Sequence, residues 1–163
     1  MPDTDRNTQT DSRQTGLLLV PAELWIAPVP SSERYRLNRF YKRNGHKGKA
    51  AEDDQAFWLL WQEEVLAGVR FSAFADGCVL RGLWVHRSWR GCGLGSQLLQ
   101  GCRSYWQSQR CYCFPFSHLE AFYRQHGFVL PDSHTPVECL QQLQRYCQRG
   151  EDVLLMQSAP DGE

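Results

Sequence analysis

The segment Arg90-Gly91-Cys92-Gly93-Leu94-Gly95 holds the residue types that point most directly to chemistry. Glycine at alternate positions lets the backbone turn through φ > 0 and lets a ligand reach main-chain amides without meeting a Cβ. Leu94, Leu98, Leu99, Cys102, Tyr105 and Trp106 then recur at helical spacing, so the loop opens a helix. The first amides of a helix have no partner within it, and its dipole places roughly half a positive charge there. That combination seats an anion, and phosphate is the usual occupant. Arg90 at the rim adds charge-assisted hydrogen bonds of about 1.5–3 kcal/mol each. The same glycines also suit a tight strand-to-helix turn that holds nothing, and the residue types leave both readings open. Two other phosphate loops are excluded. A P-loop ends in Gly-Lys-Ser/Thr, and Gly95-Ser96 has no lysine. A dinucleotide fingerprint is G-x-G-x-x-G with a later acidic residue, which this stretch lacks.

The chain has seven cysteines, most simply read as reduced thiols in an unsecreted protein. Cys111-x-Cys113 puts two thiols on one strand face, yet no C-x-x-C pair or histidine cluster accompanies it, so no metal is expected. Small apolar packing accounts for Cys78, Cys102, Cys111 and Cys113. Cys92 falls inside the glycine loop, where its amide matters more than its sulfur. A second charged feature is the run Arg34, Arg36, Arg39, Lys42, Arg43, Lys47 and Lys49, with His46 among them and Glu33 as its only acid. It reads as a solvated face balanced by Glu52, Asp53 and Asp54, or as a docking surface for an acidic partner. Over the whole chain 18 Lys and Arg balance 18 Asp and Glu, so nothing draws it globally to nucleic acid or an anionic membrane. No apolar run approaches the ~18 residues of a spanning helix. Met1 to Gly16 is polar and lacks the apolar core of a signal peptide; a disordered tail and a cytoplasmic protein are expected.

The elements that position these groups follow from periodicity and punctuation. Length fits one domain, placed at 17–157 between tails at 1–16 and 158–163. Leu17 to Pro21 is the first stretch able to lie against the body. Leu24 to Val29 reads as an edge strand because of Pro28. Ser31 or Ser32 caps a helix to about Arg43, with Leu37, Phe40 and Tyr41 inward and Asn44-Gly45 as its stop. Phe57 to Trp61 is apolar on both faces and reads as a buried strand. Glu63-Glu64 turns into an antiparallel strand from Val65 to Phe74, and Ala75-Asp76-Gly77 is an Asp-Gly hairpin leading into Cys78 to Val85. After the second helix come a strand from Arg110 to Phe114 and two capping boxes, Ser117-His118-Leu119-Glu120 and Thr135-Pro136-Val137-Glu138. Their helices end at Gly127 and Gly150, with Pro136 at the first helical position, and Val153 to Met156 supplies a last strand. The fold class is α/β (α+β): a mixed, mostly antiparallel central sheet with helices on both faces.

Val85-x-x-x-x-Arg90-Gly91-x-Gly93-x-Gly95 followed by Leu98-Leu99 resembles the coenzyme A pyrophosphate loop of the GNAT acetyltransferase superfamily, Arg/Gln-x-x-Gly-x-Gly/Ala, here filled by Arg90, Gly93 and Gly95. Phe122-Tyr123-Arg124-Gln125-His126-Gly127-Phe128 resembles the F-Y-x-x-x-G-F segment that closes the superfamily's fourth helix. The likeness covers residues 23 to 130 well and the remainder poorly. It implies a GNAT-like acyl-CoA fold and an N-acetyltransferase with acetyl-CoA as co-substrate. An acceptor amine would attack the thioester directly, in a cleft where the fourth strand splays from the fifth. Coenzyme contacts then fall on Trp84, Val85, Arg90, Gly91, Cys92, Gly93, Leu94, Gly95 and Ser96, and amides near Val85 steady the oxyanion. The Tyr123 hydroxyl takes the acid's place, protonating the departing thiolate, against the alternative of a half-buried ring that only packs its helix.

The basic segment 34–49 would flank the acceptor or hold the adenosine 3′-phosphate. Departures from the pattern are equally plain. No carboxylate lies on the fourth strand, which leaves His86, His118, Glu120 or an ordered water as base. Phe116-Ser117-His118 replaces a common asparagine, and the helix at about 136–149 is an insertion that shapes an acceptor pocket or a dimer contact. The partner expected is a small-molecule or peptide amine, acting on a monomer or homodimer. A rival class is a non-catalytic ligand- or RNA-binding module that uses the basic first helix.

Overall fold

Residues 23–158 are described by the computed structural model. The expected tail Met1–Gly16, the stretch Leu17–Pro21 and residues 159–163 lie outside them. Six strands form one mixed sheet in the order β1-β2-β3-β4-β5-β6. β1 (Leu24–Pro28) runs antiparallel to β2 (Gln55–Trp61), from Leu24 opposite Trp61 to Pro28 opposite Phe57. As the end strand of the sheet it tolerates a proline that lacks a ladder donor. β3 (Glu64–Phe74) and β4 (Gly77–Val85) follow through two-residue turns. β4 pairs in parallel with β5 (Cys111–Cys113), from Cys78 opposite Cys111 to Leu80 opposite Cys113. β5 is antiparallel to β6 (Met156–Ser158).

Both hairpin turns depart from the glycine rule. Gln62 and Glu63 hold φ of 49° and 68°, and Ala75 holds 51°, so the left-handed positions fall on residues with a Cβ. The second turn is therefore Ala75-Asp76, one residue earlier than the expected Asp-Gly turn, and Gly77 already belongs to β4. Gly77 is needed there for close approach. A Cβ would lie 2.0 Å from the carbonyl oxygen of Arg110, whose backbone carbonyl also accepts from Cys78 N–H at 2.9 Å. Gly77→Ala is expected to cost about 2 kcal/mol, because backbone must move to admit the methyl. An unchanged urea midpoint would show that this approach is not tight.

The chain forms two compact units. The first comprises, among described residues, 23–52, 56–69 and 82–101. Its helix α1 (Arg34–Arg43) turns Leu37, Phe40 and Tyr41 inward onto Ala50, Ala56 and Trp58, as the spacing predicts. Neither Ser31 nor Ser32 caps it; the chain enters through a 3-10 turn, Ser31–Glu33, closed by Glu33 N–H on Pro30 C=O. The Tyr41 hydroxyl donates to the Gly82 carbonyl at 2.8 Å, tying α1 to β4. Helix α2 (Leu94–Gly101) completes this unit and buries Leu94, Leu98 and Leu99.

The second unit comprises 53–55, 70–81 and the described residues from 102 onward. The expected single helix from Leu94 to Trp106 is broken at Cys102, and α3 (Arg103–Trp106) starts afresh. Trp106 stacks on Phe128 with centroids 5.2 Å apart. α4 (Glu120–Gln125) and α5 (Val137–Gln148) follow, and neither expected capping box is made. Ser117 instead donates to Asp152 Oδ1 at 2.6 Å, and Glu120 pairs with Arg124. Thr135 is buried, donating to Gln157 Oε1 at 2.7 Å, and Pro136 stands at the N-cap rather than the first helical position. Buried pairing with a strand residue outcompetes a cap that solvent could also supply. The last strand lies later than expected: Val153 makes only an isolated bridge to Phe116, and Ser158, assigned to the tail, pairs with Cys111.

Candidate coenzyme-binding site

β4 ends at Val85, a 3-10 turn (Arg87–Trp89) follows, and the chain then passes through the glycine loop into α2. Of the alternating glycines, Gly91 and Gly93 hold φ of 78° and 80°, while Gly95 already lies in the first turn of α2. Gln97 N–H bonds Gly93 C=O at 3.1 Å, marking Gly93 as the entry to the helix. The amides of Gly93, Leu94 and Gly95 therefore sit where a helix has no acceptors of its own. A Cβ added at Gly91 or Gly93 would meet nothing within 4 Å. Their glycines thus serve backbone conformation and leave open space above the amides, which fits a diphosphate. Cys92 is half-buried within the loop and Ser96 lies one residue further into α2.

Arg90 is exposed, and its side chain folds back rather than over the amides. Nε donates to Val85 C=O at 3.3 Å, Nη2 to Asn44 C=O at 3.1 Å, and the guanidinium lies 5.4 Å over the Trp84 ring. Two of its five donors are engaged in this way. Trp84 Nε1 donates to the same Asn44 carbonyl at 2.7 Å. Trp84, Val85 and Arg90 are therefore assembled next to one another at the end of β4.

The residue that assembles them went unrecognised in the sequence beyond its role as a helix stop. Asn44 is 5 % exposed. Its Oδ1 accepts from Arg87 N–H at 2.9 Å and its Nδ2 donates to Phe40 C=O at 2.9 Å. One side chain thus closes α1 and pins the turn that precedes the glycine loop. Asn44→Ala should cost about 1–2 kcal/mol, since it leaves a buried donor and acceptor without partners. Amide exchange at Arg87 should quicken in that variant; unchanged exchange would separate Asn44 from the loop.

Tyr123 belongs to the second unit, on α4, and is 6 % exposed. Its ring packs against Phe122 and Phe128, with centroids at 5.0 and 5.7 Å. Burial pushes its phenol well above the usual tyrosine range, so it stays protonated at neutral pH. Among the expected bases, His86 has both nitrogens engaged: Nδ1 accepts from Ser88 N–H at 3.1 Å, and Nε2 faces Glu64 Oε1 at 3.6 Å. Glu120 is tied to Arg124 at 2.6 Å, and His118 is exposed and stacked on Phe116. Cys78, Cys102, Cys111 and Cys113 are buried as expected, and burial pushes the Cys102 thiol up to about 12. Among the described residues no cluster of His, Cys, Asp and Glu is arranged to hold a metal, and no helix is long and apolar enough to cross a membrane.

The mixed six-stranded sheet has the fold of solved acyltransferase structures. Residues 53–130 match the family described as acetyltransferase (GNAT) domain. A search of curated proteins by sequence finds no match. Solved structures agree in fold. An acyl-CoA N-acyltransferase from Pseudomonas aeruginosa is 19 % identical with a TM-score of 0.59, over 83 % of this chain and 99 % of that one. A GNAT-family acetyltransferase from Streptococcus pneumoniae is 16 % identical with a TM-score of 0.60, over 83 % and 98 %. N-acetylglutamate synthase from Neisseria gonorrhoeae, complexed with coenzyme A and N-acetyl-glutamate, is 14 % identical with a TM-score of 0.60, over 85 % of this chain and 35 % of that one. At these identities the likeness is one of fold.

Proposed function

We propose that the protein transfers an acetyl group from acetyl-coenzyme A to an amine of a small molecule or peptide. The observation that carries this reading is the open space over Gly91 and Gly93, at the entry to α2 and inside a GNAT domain. Bound acetyl-coenzyme A supplies an activated thioester carbonyl. Amides of Gly91 to Ser96 receive its diphosphate, and Arg90 turns its remaining donors to the same oxygens. Trp84 and Val85 line the pantetheine arm, with Val85 amide stabilising the oxyanion as the amine nitrogen adds to the carbonyl carbon. The proton on the added nitrogen passes to solvent, the carbon–sulfur bond breaks, and the Tyr123 hydroxyl donates a hydrogen bond to the departing thiolate, which takes its proton from solvent. An amine acceptor is supported by the gonococcal synthase, whose complex contains N-acetyl-glutamate. The cysteines form no disulfide among the described residues, which suits a reducing cytoplasm.

Thermal unfolding with and without acetyl-coenzyme A tests the reading. Ligand at a hundredfold over its Kd should stabilise the protein by roughly 2.7 kcal/mol. No shift at millimolar ligand would refute coenzyme binding. With a shift in hand, a panel of amines followed by free thiol release identifies the acceptor.

A further inference from the structure

Arg36, Arg39 and Arg43 lie three and four residues apart on α1, hence on one helix face. They line a cavity of about 390 Å³ together with Arg87, Glu63 and Glu64. Four guanidinium groups face Glu63 and Glu64, and Glu33 pairs with Arg36 from outside the lining, which leaves a surplus of one positive charge. Arg36 is satisfied, with Nη1 on Glu33 Oε1 and Nη2 on the Glu63 carbonyl, both at 2.6 Å. Glu64 faces His86. Among the described residues no carboxylate pairs with Arg39, Arg43 or Arg87. Like charges at this spacing repel, and α1 contains no acidic residue to offset them. A bound anion would relieve that repulsion.

We infer that this cavity is a second anion site, separate from the glycine loop, that takes the dianionic phosphate monoester of a small organic molecule. A monoester carries about −1.5 to −2 at neutral pH, and its three oxygens suit the guanidinium forks of Arg39, Arg43 and Arg87. The volume is on the order of ten times a water's share, so the site has room for an organic carrier beyond the phosphate. Phe40 and Val65 give that carrier an apolar wall. Arg87 is presented from a fixed backbone, because its amide is held by buried Asn44, and this limits the ordering cost of binding. No residue from Arg90 to Ser96 lines the cavity. The site is thus independent of the acetyl-coenzyme A reading.

Titration calorimetry on the full chain tests it, with phenyl phosphate as the monoester and methyl phenyl phosphate as the singly charged diester. The monoester should bind at least tenfold more tightly than the diester, with or without saturating coenzyme A. The R39Q/R43Q double variant should lose tenfold or more in monoester affinity while its thermal response to acetyl-coenzyme A is unchanged. Equal affinity for the two esters, no binding, or full retention in the double variant would overturn the assignment. A different source of the same chemistry, the coenzyme's own 3′-phosphate, also overturns it. That outcome appears as displacement of phenyl phosphate by coenzyme A but not by dephospho-coenzyme A, together with weakened coenzyme binding in the double variant.

Discussion

Gly93→Val is expected to abolish the stabilisation that acetyl-coenzyme A confers, a loss of roughly 2.7 kcal/mol at a hundredfold over the wild-type Kd. Two effects combine. Gly93 holds φ of 80°, where a residue with a Cβ is strained by about 1–3 kcal/mol. The added side chain also enters space that is open in the protein, at the residue where α2 begins. The first effect lowers the melting temperature without ligand; the second removes the response to ligand. Gly93→Ala carries the same backbone strain with the smallest side chain, whose Cβ meets no protein atom within 4 Å, so its affinity relative to Gly93→Val reads how much the added bulk contributes. Calorimetric titration of both variants with acetyl-coenzyme A reads the outcome. Wild-type affinity in Gly93→Ala would mean that the glycines serve the turn alone.

Why the loop was legible and its supports were not follows from the range of the interactions involved. Positive φ at Gly91 and Gly93 is a local demand, and glycine placement announces it. The inward face of α1 and the buried run of β2 were legible for a similar reason, because periodicity records which side of an element meets apolar neighbours, whereas the mixed sheet followed from the resemblance to the GNAT superfamily. Asn44 shows the opposite case. Its partners are Phe40, four residues back, and Arg87, 43 residues on, and nothing local distinguishes it from any asparagine that ends a helix. The capping boxes failed in the same direction. Ser117 and Thr135 fit a local pattern, but Asp152 and Gln157, distant in sequence, took their hydroxyls. Arg90 reads from the sequence as a rim residue of the loop, and its side chain rests on two carbonyls and Trp84, contacts that only the assembled strand end supplies. Gly77 was legible as a turn glycine, whereas its actual task is to let the Arg110 carbonyl approach.

Tyr123→Phe should lower kcat about a hundredfold or more, the usual scale of a lost hydrogen-bond donor at a developing charge, while the Kd for acetyl-coenzyme A stays within twofold. The substitution removes one oxygen and keeps the ring against Phe122 and Phe128, so the melting temperature should change little. Burial raises the phenol above its ordinary value of about 10. A departing thiolate, with an ordinary thiol value of about 8.5, is the weaker base of the two conjugate anions. In the proposed role the phenol would therefore keep its proton and act as a hydrogen-bond donor to the thiolate, with solvent completing the protonation. That has a consequence for the pH profile. Because the phenol stays protonated, its ionisation should impose no fall in wild-type kcat below about pH 10. A basic limb with an apparent pKa under 9 that vanishes in Tyr123→Phe would show a phenol less buried than this. Undiminished turnover in the variant would leave Tyr123 a packing residue, and thiol release from the best acceptor of the panel decides between them.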